Sequence, residues 1–116
     1  MGVIEDYLTA VTTHDWEGLG AVVRDDVVRT GPYHDTYEGR DAYVGFLAEL
    51  MPNLPGYAMD VSRVTYADGG RTAFAELSET VEVNGAPLVT PEVLVFAIGA
   101  DARIATIDIY IKQRPA

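Results

Sequence analysis

Arg71–Gln113 reads RTAFAELSETVEVNGAPLVTPEVLVFAIGADARIATIDIYIKQ, and its reading decides the fold. Two β-rich runs, Thr72–Val83 and Leu88–Ile98, flank Asn84-Gly85-Ala86-Pro87, and a third, Arg103–Lys112, follows a short break. Asn-Gly between such runs is the strongest short-range hairpin signal, because both residues tolerate the positive φ of a tight turn. The stretch therefore predicts three consecutive antiparallel strands. In the first, alternation puts Ala73, Ala75, Leu77, Glu79, Val81 and Val83 on one face and Phe74, Glu76, Ser78, Thr80 and Glu82 on the other. Glu79 is thus a carboxylate in an apolar row. Glu92 repeats the anomaly in the next strand, among Leu88, Thr90, Leu94, Phe96 and Ile98. Two acids out of pattern on adjoining strands predict a cavity lined by both.

Towards the N-terminus, Val3, Ile4, Tyr7, Leu8 and Val11 recur at helical spacing and predict an amphipathic helix over residues 3–13. Asp15 can cap a second, short helix holding Trp16, Leu19, Val22 and Val23, which Gly18 and Gly20 leave dependent on packing. Arg24-Asp25-Asp26 interrupts the pattern, Val27–Thr30 reads as a short strand stopped by Gly31-Pro32, and Tyr33–Gly39 reads as a loop. A third helix spans Arg40–Met51, with Tyr43, Phe46, Leu47 and Leu50 as its buried stripe and Pro52 as its stop. Pro55-Gly56 turns the chain into a strand, Tyr57–Tyr66, and Asp68-Gly69-Gly70 turns it back. Helices segregated ahead of an antiparallel meander imply an α+β fold, with the helices packed on one face of a curled sheet. The last strand is apolar on both faces, Ile107, Ile109 and Ile111 on one and Ile104 and Tyr110 on the other. That predicts a homodimer through the outer sheet face.

Composition narrows the function classes. The 116 residues read as one domain over positions 1–116. Eight Lys and Arg against eighteen Asp and Glu give a net charge of −10, which repels phosphate backbones and anionic lipid, so no nucleic-acid or membrane partner is expected. No run approaches the roughly 20 apolar residues of a membrane span. Met1-Gly2-Val3-Ile4-Glu5-Asp6 lacks a signal peptide's basic flank, and there is no cysteine, so the expected location is cytoplasmic. No His, Asp and Glu spacing makes a metal site, and no Gly-rich phosphate loop follows a strand; no cofactor is expected.

The chain resembles the nuclear transport factor 2-like superfamily, in its ketosteroid isomerase and SnoaL-like branches. The resemblance rests on Tyr7, His14-Asp15-Trp16-Glu17-Gly18-Leu19, Asp25-Asp26-Val27-Val28, the Gly31-Pro32 turn and Gly39-Arg40-Asp41, with Asn84-Gly85-Ala86-Pro87 and Arg103-Ile104-Ala105-Thr106-Ile107 completing it. It implies a cone in which a strongly bent antiparallel or mixed sheet wraps a deep apolar pocket closed by three N-terminal helices. By that resemblance Tyr7 falls on the tyrosine of a ketosteroid isomerase oxyanion hole. Glu92 falls on its protonated aspartate, and the base position falls on Gly31, which can carry no proton. It also turns Ile107, Ile109 and Ile111 toward the pocket and Asp108 away from it. The expected lining is Trp16, Val23, Phe46, Leu47 and Leu50 from the helices, with Leu77, Val81, Thr90, Leu94 and the three isoleucines from the sheet.

Each candidate has a functional and a structural reading. Glu92 is either a desolvated, protonated donor to a substrate oxygen or a glutamate turned out at a bulge beside Pro91. Glu79 is a pocket base, unless a one-residue slip exchanges it with Ser78 or Thr80. Arg29 either points inward, paired with Glu79 or Glu92 or holding an anionic group, or lies on a strand edge. Tyr7 is a phenol donor at the cavity floor or a core aromatic. His34, oriented by Asp35, is the imidazole base of choice, against a solvated loop histidine. The leading expectation is a cofactor-independent enzyme that isomerises or cyclises a small apolar carbonyl compound by acid–base chemistry. The rivals are a non-catalytic module that binds a hydrophobic ligand, favoured by Gly31, and an epoxide hydrolase of the limonene type, which needs Arg29 inside.

Overall fold

The structure, a computed structural model, describes residues 2–112; Met1 and the Gln113 that ends the quoted stretch lie outside the described residues. Helices α1 (Val3–Thr12) and α2 (Trp16–Val22) lead into strand β1 (Val23–Thr30) and a short β2 (Thr36–Glu38). Helix α3 (Arg40–Leu50) follows, and then β3 (Ala58–Ala67), β4 (Thr72–Val83), β5 (Ala86–Ile98) and β6 (Ile104–Ile111). The strands form one open sheet in the order β2-β1-β6-β5-β4-β3. All pairings are antiparallel except β1 with β6, which makes the sheet mixed. This is the α+β cone expected from the sequence.

Local chemistry explains the element ends. Asn84 and Gly85 take φ of 54° and 79°, and Val83 pairs with Ala86 directly across the two-residue turn. The second long strand thus begins at Ala86, two residues before the apolar run. Asp15 caps α2 by accepting a hydrogen bond from the Gly18 N–H at 3.0 Å. Helix α3 gives way at Pro52 to a 3-10 turn, Met51–Asn53.

Two expectations need correction. The Tyr33–Gly39 segment is not all loop, because Thr36, Tyr37 and Glu38 pair with Thr30, Arg29 and Val28. Three residues are too few to show an alternation. Strand β1 also starts earlier than Val27: Val23 pairs with Ile104, and the register then shifts before Val28 meets Thr106. Arg24-Asp25-Asp26 is the bulge that absorbs the shift, with Arg24 bonded to Asp26 at 2.8 Å.

The core lies between α1 and the sheet. Ile4, Leu19, Val23, Val27, Ala73, Ala75, Phe96, Ile104 and Ile107 are fully excluded from solvent. Tyr7 meets Phe96 edge-on, with ring centres 5.4 Å apart. Beyond this dry end the helices and sheet part, and the space between them is the cavity described next.

Candidate active site

A cavity of about 280 Å³ opens between α1, α3 and the inner face of β1, β6, β5 and β4. That is close to the lower end, about 300 Å³, of the sites that hold small molecules. Leu47, Leu50, Leu77, Val81, Leu94, Ile109 and Ile111 supply an apolar wall, joined by Val11, Met51, Leu54 and Met59. Tyr7, Tyr43, Tyr57, Arg29, Glu79, Glu92 and Thr90 bring polar groups to it.

Strand register places the two glutamates. Glu79 pairs with Thr90, and Leu77 pairs with Glu92, so the acids sit diagonally on one face of adjoining strands. Diagonal neighbours are about 7–8 Å apart at the backbone, within reach of two glutamate side chains. Glu92 is buried at 9% exposure, and its carboxyl is pushed up to about 9, first by burial, then by the hydrogen bond and negative charge of Glu79; Arg29 pulls weakly the other way. Glu92 therefore keeps its proton at neutral pH. The Tyr57 hydroxyl donates to Glu79 Oε2. Burial and then the Glu79 charge raise that phenol and keep its proton in place.

Below the acids, the Tyr7 and Tyr43 hydroxyls are hydrogen-bonded to each other. Burial pushes Tyr43 up to about 12 and Tyr7 well above its ordinary range. Both remain neutral phenols, one donating to the other.

Arg29 does point inward, at 9% exposure, but neither glutamate is its partner. Asp35 accepts from Arg29 Nη1 at 2.7 Å, which holds the Asp35 carboxyl below the usual range. The guanidinium carbon also lies 5.7 Å from the Tyr37 ring centre and 5.3 Å from that of Phe46, rings that stack on each other at 4.1 Å. His34 stands apart. It is exposed, takes φ of 65°, and lines a second pocket with Tyr33 and Asp108 instead of the cavity that holds the glutamates. Asp35 turns away from it to Arg29, because the left-handed backbone at His34 reverses the chain between the two side chains.

Three residues expected in the lining lie elsewhere. Trp16 is half-buried and stacks on His14, with ring centres 5.3 Å apart. Val23 and Ile107 are sealed in the dry end, paired with Ile104 and Phe96. Parity put Ile107 on the right face but could not say how far α1 presses down on it. The sequence reading assigned no role in the site to Tyr43 and Tyr57. Tyr57 could have been found from register: Met59 pairs with Glu79, and Tyr57 shares its face one step along. Among the described residues no group of three or more His, Asp or Glu could hold a metal ion.

A bent sheet closed by helices over an apolar cavity, with a buried Glu92 and a half-buried Glu79 lining it, defines an α+β cone. The chain matches the SnoaL-like domain over residues 4–107 and belongs to that family. No curated protein matches it in sequence. Solved structures share the fold. An epoxide hydrolase of Mycobacterium tuberculosis, described as LEH-like, is 21% identical with a TM-score of 0.80, over 95% of this chain and 80% of that one. A protein of Catenulispora acidiphila with a ketosteroid isomerase-like fold, in complex with trimethylamine, is 16% identical with a TM-score of 0.79, over 93% and 83%. A second M. tuberculosis protein, in complex with estradiol-17β-hemisuccinate, is 17% identical with a TM-score of 0.74, over 93% and 89%. At such identities the likeness is one of fold.

Proposed function

We propose that this protein moves a proton within a small, mostly apolar carbonyl compound, isomerising or cyclising it without a cofactor. The observation that carries the reading is the Glu79–Glu92 pair inside an apolar cavity, one carboxyl holding a proton and the other accepting from Tyr57. Glu92 lies diagonally across the strand pair from Glu79, which helps to keep the proton on it. A substrate carbonyl entering beside them accepts from Glu92, and Glu79 acts as the base. Glu79 then takes a proton from the carbon next to the carbonyl. That C–H electron pair becomes a C=C bond as the C=O π pair moves onto oxygen, giving an enolate stabilised by the Glu92 hydrogen bond. The oxygen pair re-forms the C=O when the proton returns. Returning the proton from Glu79 to a different carbon completes an isomerisation with no oxidant or reductant. The two neighbours that hold trimethylamine and estradiol-17β-hemisuccinate support a ligand role for this cavity.

The second reading is epoxide hydrolysis, and the observation favouring it is the inward Arg29. Arg29 is engaged by Asp35 and not by the acid pair, so proton transfer fits the geometry better. Cyclohex-3-enone and cyclohexene oxide separate the readings. Conversion of the ketone to cyclohex-2-enone, lost about 10²–10³-fold in Glu92→Gln and Glu79→Gln, is the expected result. Diol formation from the oxide would put hydrolysis first. Saturable binding of both compounds with no turnover of either would leave a non-catalytic binding module. We also infer that a second copy of the chain covers the outer sheet face.

A further inference from the structure

The chemistry above makes no use of Asp35, yet the loop is built around its carboxylate. A Cβ on Gly31 would lie 2.4 Å from Asp35 Oδ1 and 2.6 Å from Oδ2, so the carboxylate fills the space that any other side chain at 31 would need. The Gly31 N–H donates to the Asp35 carbonyl at 2.8 Å, and the His34 N–H donates back to the Gly31 carbonyl at 3.2 Å. The Tyr33 N–H donates to Asp35 Oδ1 at 3.4 Å, and His34 reverses the chain with its φ of 65°. Through the gap so formed, Oδ2 reaches Arg29.

Arg29 needs that partner. Its side chain is 11% exposed, and its Nε is buried with no hydrogen-bond partner among the described residues. A guanidinium so far out of water is strongly destabilising unless an anion meets it. The carboxyls facing it are Asp35 from the loop, Glu79 from β4 and the protonated Glu92 from β5; the phenols around the pair are Tyr7, Tyr43 and Tyr57, with the Tyr37 ring 5.7 Å from the guanidinium. Arg29 takes the one that lies outside the acid pair.

We propose that Asp35 is a positioning residue: passing through the gap at Gly31, it engages Arg29 and keeps the guanidinium from pairing with Glu79 and Glu92, so that the glutamates share their proton with each other. Gly31 has no chemistry of its own, and it admits the carboxylate that keeps the chemistry next door intact. The inference rests on the reading that this glutamate pair does the work of the site.

The test is the ¹³C NMR titration of the Glu92 carboxyl in wild type, Asp35→Asn, Gly31→Ala, Arg29→Met and the double variant Arg29→Met/Asp35→Asn. Asparagine removes the anion, and alanine displaces it without removing it. In both, Arg29 turns to the glutamates and the Glu92 midpoint falls by about 1–3 pH units, the effect of an opposite charge at close range. With methionine at 29, adding Asp35→Asn moves the midpoint no further. A midpoint unchanged in Asp35→Asn and Gly31→Ala, or falling equally in the double variant, overturns this role for Asp35 while the proton-transfer reading stands. An ordinary carboxylate midpoint in wild type overturns both. Gly31→Ala retains every polar group and supplies the answer if Asp35→Asn fails to fold.

Discussion

A carboxyl that holds its proton inside the fold to about pH 9, as Glu92 does, ties stability to pH in an unusual direction. In the unfolded chain the same group titrates near about 4.3. Between those values the folded state binds the proton and the unfolded state does not, so the contribution is fully present in acid and drains away as pH rises. Denaturant melts of wild type and Glu92→Gln should therefore diverge. The wild type loses stability relative to the variant from about pH 4.5 towards pH 9, by a few kcal/mol in all, since each tenfold difference in proton affinity between the two states is worth about 1.4 kcal/mol. Parallel curves would mean that Glu92 is hydrated in solution. Tyr57→Phe is the companion experiment. It removes a hydrogen bond to a charged acceptor, and the midpoint in urea should fall by the equivalent of about 1.5–3 kcal/mol with an unchanged slope. Its turnover of cyclohex-3-enone should fall as well, because Glu79 loses the donor that orients it. A variant as stable and as active as wild type would remove Tyr57 from the site.

At the scale of elements, the same residues show what a sequence can and cannot convey. The β4–β5 hairpin was legible because Asn84-Gly85 states its turn and the alternation states its faces. Its register in the structure then put Glu79 and Glu92 diagonally on one face. Replacing Gly85, at φ of 79°, by alanine should cost about 1–2 kcal/mol, the cost of the left-handed region for a residue with a Cβ. A thermal melt that does not move would show that the turn relaxes to another type. Parity carried the inward face of β6 equally well, but depth along the cone did not follow from it. Ile107 and Ile109 share a face, yet one is sealed and the other lines the cavity. How far a helix descends into a sheet depends on packing against several strands at once, which no single run of residues encodes. Strand β2 was hidden by its length, and the Arg29–Asp35 pair by a turn whose geometry depends on Gly31. The sequence showed Arg29 needing a partner and Asp35 standing nearby. Only the left-handed backbone at His34 decides that the acid faces in and the imidazole out.

At the scale of the whole molecule, the outer face of the sheet remains to be accounted for. Cross-strand pairing lines up Glu76, Val93 and Tyr110 in one row and Phe74, Val95 and Asp108 in the next. Tyr110 is 63% exposed and Val89 55%, while the helices pack against the other face. Scattered apolar residues need no explanation, but valines and aromatics in adjoining rows of one sheet form a contiguous patch. A second copy, bringing the same patch about a two-fold axis, would set Val93, Val95, Phe74 and Tyr110 against their own counterparts, with Glu76 and Asp108 at the row ends. A stable pair of this kind buries about 800 Å² on each partner. Light scattering behind a sizing column should therefore give about twice the 12.6 kDa of one chain at micromolar concentration. Tyr110→Asp adds a charge to a row that already holds Glu76 and next to one that holds Asp108. It should shift the mass towards that of a single chain while the near-ultraviolet signature of the buried Tyr7 and Tyr43 is retained. A wild type that runs at 12.6 kDa across the concentration range would leave the patch to some other partner and withdraw the dimer.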